Sequence, residues 1–173
     1  MDREQSLNKV NGWRFFLSLL LFIWVMACTL ITVRYLLLAW SGDYTFLHLL
    51  LNYESDFVVN DEMKLAFYTV AGALLGGATL SITSLHKYSA VTKTLDVDHL
   101  WGYLMAPVLS VVIGLLIFCL LYSGLMVLNG GGNVNSELSS VRIGYLSLGA
   151  IGSYNWDVFL RKMQNLSKHI SNE

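Results

Sequence analysis

Apolar residues dominate four long stretches of the chain, and short polar segments separate these stretches. The longest uncharged run begins at Leu104 and continues for 25 residues to Leu128. As a helix it would be roughly 38 Å long at ~1.5 Å per residue, enough to cross a bilayer core of ~30 Å. A chain of 173 residues is too short to bury such a helix in a water-soluble core. The pattern predicts transmembrane helices over about residues 15–40, 65–83, 104–128 and 141–156.

The fourth predicted span is the weakest, because it contains Gly144, Gly149 and Gly152. Such a helix is stable in lipid mainly when neighbouring helices shield it. Beyond it, apolar residues recur at helical spacing among basic ones, which predicts an amphipathic helix over 157–173. We therefore expect an all-α membrane protein with four transmembrane helices and a C-terminal amphipathic helix. The apolar face of that last helix comprises Trp156, Phe159, Leu160, Met163, Leu166 and Ile170.

The distribution of charge predicts which way the chain sits in the membrane. Charged residues are only 13% of the chain and the net charge is −1, so no overall field points to nucleic acid as a partner. Eight of the 11 lysines and arginines lie in segments 1–14, 84–100 and 157–173. The positive-inside rule then predicts a cytoplasmic leader (1–14), a transmembrane domain (15–160) and a cytoplasmic tail (157–173).

Two polar segments connect the predicted spans. Residues 41–64 are the most acidic part, yet 46–51 within them is too short to span a membrane and too apolar for a free loop. We expect this piece to be interfacial, re-entrant, or a cap over the helix ends. The link 84–100 contains Asp96-x-Asp98-His99, and carboxylates there suit the first turn of the next helix better than they suit a metal site.

The second span carries a stripe of small residues on one helix face. In lipid, small residues allow helix backbones to approach closely, and this is a main source of helix association. The stripe therefore predicts either the centre of the bundle or a contact between subunits of a homo-oligomer, with neither favoured. Its members, three or four residues apart, are Thr69, Gly72, Gly76, Thr79 and Thr83.

Catalytic chemistry has little support in the sequence. Membrane-embedded enzymes usually hold ionisable residues well inside their spans, whereas these spans hold apolar residues, glycines, hydroxyls and cysteines. Metalloprotease, serine-hydrolase and phosphate-loop motifs are missing from the sequence. We expect no enzymatic activity, cofactor or metal, and the sequence indicates neither a small-molecule substrate nor direct nucleic-acid binding.

The third and fourth spans carry a further pattern. Tyr103 and Pro107 enter the third helix, Gly114 lies midway and Gly124-Leu125 leave it; Gly149, Gly152, Asn155-Trp156-Asp157 and a basic tail follow. Over about 70 residues the chain resembles small bacterial inner-membrane proteins. Within them it is similar in size and span number to the KwaA family, the membrane subunits of the Kiwa anti-phage defence system. The resemblance implies an inner-membrane sensor that assembles with a cytosolic, DNA-acting KwaB-like partner.

Two functions fit this pattern. The first is a membrane scaffold or sensor subunit that oligomerises in lipid and docks a cytosolic protein. The alternative is a pore-forming effector or small channel, and only this alternative predicts that expression alone dissipates the membrane potential. For the first, the predicted docking residues are the basic ones near the cytoplasmic ends, namely Arg161, Lys162, Lys168, Lys87 and Lys93.

Overall fold

A computed structural model describes residues 2–51, 59–88, 100–124 and 138–171 of the chain. Helices hold 92% of these residues, and no strand occurs among them, which confirms the all-α prediction. The helices are α1 (Asp2–Trp40), α2 (Thr45–Leu51), α3 (Asp61–His86), α4 (Leu100–Tyr122), α5 (Leu138–Tyr154) and α6 (Trp156–Ser171).

Three helical segments are long and apolar enough to cross a membrane. They are Phe16–Trp40, Asp61–His86 and Trp101–Tyr122, with 25, 26 and 22 residues. Their outward faces carry many large exposed apolar side chains, which suits contact with lipid tails. The helix in the place of the predicted fourth span, α5, has 17 residues.

The centre of the bundle is α3, which packs against α1, α4 and α5. It begins at a capped end, where the Asn60 side chain accepts a hydrogen bond of 2.9 Å from the Met63 backbone N–H. Asp61 and Glu62 in the first turn also suit the positive end of the helix dipole. These signals explain why α3 starts before the apolar run, at Asp61 rather than at the predicted residue 65.

Successive long helices run in opposite directions. Leu36 near the end of α1 packs in one buried cluster with Tyr68 near the start of α3. Leu21, earlier in α1, meets Leu85 at the end of α3. In contrast, α5 runs parallel to α3, because Leu146 lies against residue 72 of α3 and Ala150 against residue 76. The result is an up-down-up-down arrangement of α1, α3, α4 and α5.

Glycines at positive φ end two of the helices. At the end of α1, Gly42 has φ +87° and the Asp43 N–H bonds the Leu38 carbonyl at 3.1 Å, a Schellman arrangement. At the end of α4, Gly124 has φ +74°. The predicted span to Leu128 is corrected here, since α4 ends at Tyr122. Residues 125–137, including the predicted glycine-rich turn, lie outside the described residues.

The short apolar piece at 46–51 forms α2 and packs onto the bundle. The Phe46 ring lies 4.8 Å from Tyr35 of α1 and 5.2 Å from Phe67 of α3, centroid to centroid. Asp43 begins this helix by accepting hydrogen bonds from the hydroxyl and the backbone N–H of Thr45, at 2.7 and 3.0 Å. These bonds lower the pKa of the Asp43 carboxyl. Of the three expectations for this segment, its packing on α1 and α3 matches the cap.

Candidate functional site

The predicted small-residue stripe contributes to the contact between α3 and α5. A Cβ atom added to Gly72 would overlap the carbonyl oxygen of Leu146, and one added to Gly76 would overlap that of Ala150. From the other side, a Cβ on Gly149 would overlap the Thr69 carbonyl oxygen. The two backbones are therefore in direct contact. Because α5 covers Gly72 and Gly76, these glycines are not available to a second copy of the chain.

Thr79 and Thr83 lie outside this contact. Both are exposed, and their hydroxyls bond to their own helix, at the Leu75 and Thr79 carbonyls, at 2.9 Å each. The buried side of α3 instead continues through Gly77, Ser81 and Leu85. A repeat of three and four residues averages 3.5, which drifts around a straight helix of 3.6 residues per turn. The later members of the stripe therefore rotate away from the neighbouring helix.

A cleft opens between α3 and α4 at the end of the bundle where α5 ends and α6 begins. Its volume is about 520 Å³, within the range of small-molecule pockets. Apolar side chains form most of its walls, and serines from three different helices reach it. Its described lining comprises Gly77, Leu80, Ser81, Ser84, Tyr88, Gly102, Tyr103, Met105, Ala106, Leu109, Ser110, Ile113, Ser153 and Trp156.

Two buried serines form a hydrogen-bonded chain at the cleft. The Ser153 hydroxyl of α5 donates to the Ser110 hydroxyl of α4 at 3.0 Å. Ser110 in turn donates to the Ala106 carbonyl at 2.8 Å. Gly77 makes room for this pair, since a Cβ there would overlap the Ser110 oxygen. Both hydroxyl protons are therefore already used inside the protein.

Ser81 differs from these two serines. It is only 7% exposed, and no hydrogen bond of its hydroxyl is found among the described residues. It lines the cleft and also a smaller cavity of about 20 Å³ toward Cys28 and Thr32 of α1. Buried polar groups are almost always hydrogen-bonded, so a group without a partner calls for an explanation. Ser81 is the one unpaired donor that we identify in the cleft lining described here.

The predicted docking residues divide by position. Arg161 and Lys162 are exposed on α6, where Arg161 forms an ion pair with Asp157. Both of these partners are 65% exposed, so the pair contributes little stability. Lys87 is exposed directly after α3, with its ammonium 6.0 Å from the centre of the Tyr88 ring. Lys168 belongs to α6, and Lys93 lies outside the described residues.

One apolar contact fixes α6 to the bundle. Phe159 is 8% exposed and belongs to a buried cluster with Ile113, Ile117 and Leu121 of α4. Met163, one turn further along α6, packs against the same cluster. Burying an aromatic ring of this size is worth roughly 1.5–3 kcal/mol. α6 therefore has its apolar side on the bundle and its basic side outward.

At the opposite end of the bundle, two cations lie over tyrosine rings. Lys64 is 5.6 Å from the ring centre of Tyr44, and Arg142 is 5.9 Å from that of Tyr68. The two tyrosine hydroxyls are 3.4 Å apart. Contacts of this kind are worth about 0.5–1 kcal/mol at exposed sites. They join the turn after α1 to α3 and α5 and suggest a structural role.

Some residues of this site were not indicated by the sequence. Ser110, Ser153 and Gly77 converge only in three dimensions, and the available signal was weak: a serine inside an apolar span is costly unless it has a partner. Among the described residues no group of three or more metal-ligating side chains occurs, and Asp96, Asp98 and His99 lie outside them. The chain matches no protein-family model, and no curated protein or solved structure is similar to it.

Proposed function

We propose that the chain is a non-enzymatic subunit of the bacterial inner membrane that crosses the lipid four times and docks a cytosolic protein. The observation that carries this proposal is the contact of Phe159 with α4. It holds α6 in a defined place, and Arg161 and Lys162 are exposed on it. A basic helix held on a rigid support is suited to capture an acidic surface, because less freedom is lost on binding.

The fourth span in this proposal is α5. Its 17 residues make a helix of about 26 Å, slightly shorter than a hydrocarbon core of ~30 Å. Local thinning of the bilayer accommodates such a difference at modest cost. The backbone contact of Gly149 with α3 supplies the shielding that a glycine-bearing helix needs in lipid.

The proposed orientation, with both chain ends in the cytoplasm, follows from the alternating helix directions. They bring the start of α1, the end of α3 and the start of α6 to one end of the bundle. The segments at that end, 1–14, 84–100 and 157–173, contain eight of the 11 lysines and arginines. The positive-inside rule favours this end as the cytoplasmic one.

Cysteine labelling tests both the orientation and the fourth span. In a chain with Cys28→Ala and Cys119→Ala, we expect Gly131→Cys to react with a membrane-impermeant maleimide added outside spheroplasts. Glu173→Cys in the same background should react only after permeabilisation. Labelling of Glu173→Cys from outside would remove the fourth span, and protection of Gly131→Cys would reverse the orientation.

Charge reversal on α6 tests the docking proposal. We expect R161E together with K162E to reduce cross-linking of cytosolic proteins at least about tenfold, because opposing like charges costs several kcal/mol. A photoreactive residue in place of the exposed Gln164 captures the partner in cells, and mass spectrometry measures the yield. The amount of chain in the membrane should not change.

A charge-conserving swap is the matched control for this variant. R161K together with K162R keeps both charges on the same helix turn, so cross-linking should persist close to its original yield. Equal cross-linking in the charge-reversed chain would rule out these residues as the dock. Loss in both variants would show that the shape of the arginine, rather than charge, is recognised.

Two finer expectations accompany the proposal. A KwaB-like partner in anti-phage defence rests on the resemblance at the third and fourth spans alone. Homo-oligomer formation needs a surface other than the Gly72 and Gly76 face of α3, because α5 occupies that face within the same chain. The exposed apolar faces of α1 and α4 offer the area for such a contact.

A further inference from the structure

We propose that the cleft between α3 and α4 binds a neutral membrane lipid whose carbonyl oxygen accepts a hydrogen bond from Ser81. The inference goes beyond the docking function and does not depend on α6. It requires only that α3 and α4 lie in a membrane, and both contain helical segments long and apolar enough to do so.

The buried hydroxyl of Ser81 is the first step of the argument. Other hydroxyls in the spans, such as those of Thr69 and Ser110, donate to the carbonyl four residues earlier, at 2.8 Å in both cases. Ser81 makes no such bond among the described residues, although it is 7% exposed. In a hydrocarbon environment no water is at hand to compensate such a group. A bound molecule with an acceptor oxygen would compensate it.

The hydrogen-bonding groups of the cleft define what the ligand must offer. The protons of Ser153 and Ser110 are committed to the chain that ends at the Ala106 carbonyl. Ser81 is the donor left over. The ligand must therefore bring an acceptor, and a carbonyl oxygen, with its two lone pairs, accepts such a bond readily.

The walls of the cleft define the remainder of the ligand. Leu80, Met105 and Ile113 are apolar, and no charged residue is among the described residues of the lining. An ionised head group here would have no opposite charge beside it, which disfavours anionic and cationic lipids. The ligand is therefore a neutral molecule with a largely apolar body.

The route of entry points to lipid rather than water. Met105 and Leu109 line the cleft and are 46% and 39% exposed, on the outer face of an α4 segment that is apolar enough to span the membrane. A molecule dissolved in the bilayer would reach the cleft past these side chains. Two sources share the required chemistry: the ester carbonyl of a diacylglycerol and the ring carbonyl of a lipid-soluble quinone.

Photolabelling of the full-length chain in detergent micelles tests the proposal. A diacylglycerol with a diazirine in its acyl chain is expected to label residues 80–84 and 102–110, mapped by mass spectrometry. We expect S81A to weaken binding about fivefold, the effect of one neutral hydrogen bond. L109W, which places a large ring at the exposed mouth, should weaken it at least tenfold without disturbing the buried core.

Matched controls separate the cleft from the general lipid surface. Thr79→Ala removes an exposed hydroxyl of the same helix, and Leu116→Trp adds a ring to an exposed position of α4 outside the cleft; neither should change labelling. Labelling that is equal in S81A, L109W and the unmodified chain would overturn the proposal, as would labels placed only elsewhere.

Competition with unlabelled molecules identifies the source. Displacement by a diacylglycerol, by a short-chain quinone or by both supports the proposal and names the ligand class. Displacement that is equally efficient with hexadecane would remove the need for a carbonyl, and displacement with ionised palmitate would remove the need for neutrality. Either result, or the failure of both carbonyl compounds, would overturn the proposal.

Discussion

Replacement of Gly76 by leucine is expected to destabilise the bundle by at least about 3 kcal/mol, the upper end of the usual cost of overpacking. A Cβ at this position already overlaps the Ala150 carbonyl oxygen of α5. Because the obstacle is backbone, no rotamer change relieves it, and the two helices must separate. The gain in helix propensity from replacing glycine, about 1 kcal/mol, is too small to compensate.

The measurement is unfolding of the purified chain in mixed micelles with increasing denaturing detergent, followed by circular dichroism. Gly102→Leu is the matched control, since no atom lies within 4 Å of the position of its Cβ. We expect this control to be neutral or more stable by up to about 1 kcal/mol. A Gly76→Leu chain that unfolds together with the unmodified protein would contradict the direct contact of α3 and α5.

Replacement of Phe159 by alanine is expected to release α6 from the bundle while leaving the membrane helices folded. Truncation of a buried phenylalanine costs about 3–5 kcal/mol, and each 1.4 kcal/mol is a factor of ten in an equilibrium. The detached population of α6 should therefore rise about a hundredfold or more. Trypsin cleavage after Arg161 and Lys162 reports that population directly, without knowledge of the partner.

The neighbouring Val158→Ala is the control for this prediction, because Val158 is 45% exposed and its loss removes little buried surface. Its cleavage rate should stay within about threefold of the unmodified chain, in line with the small effects of most surface substitutions. Capture of the cytosolic partner is expected to fall in F159A and to persist in V158A. Cleavage that is unchanged in F159A would mean that α6 is not held by this contact.

Much of the helical framework could be predicted from the pattern of apolar residues. The run from residue 65 to residue 83 identified α3, and the structure adds about one turn at each end. Those turns are polar and depend on the Asn60 cap and the acidic residues after it, which a search for apolar residues does not detect. The end of α4 was placed too late, because the apolar run continues past Gly124 although its φ of +74° closes the helix.

The partners of each helix face could not be predicted in the same way. Periodicity shows that Thr69, Gly72 and Gly76 share a side of α3, but it does not say whether α5 or another subunit lies against that side. The cleft was further out of reach, since Ser81, Ser110 and Ser153 come from three helices and carry no common motif. Convergence of this kind depends on the helix directions and crossing positions, which one sequence does not specify.

The length of α1 has a consequence of its own. Its 39 residues form one uninterrupted rod of nearly 60 Å, about twice the thickness of a hydrocarbon core. The apolar segment starts at Phe16, so the first four turns form a stiff stalk that extends about 20 Å past it. Arg3, Lys9 and Arg14 are carried on this stalk. Any molecule that reads these charges meets them at a set standoff from the lipid surface, as on a ruler fixed to the bundle.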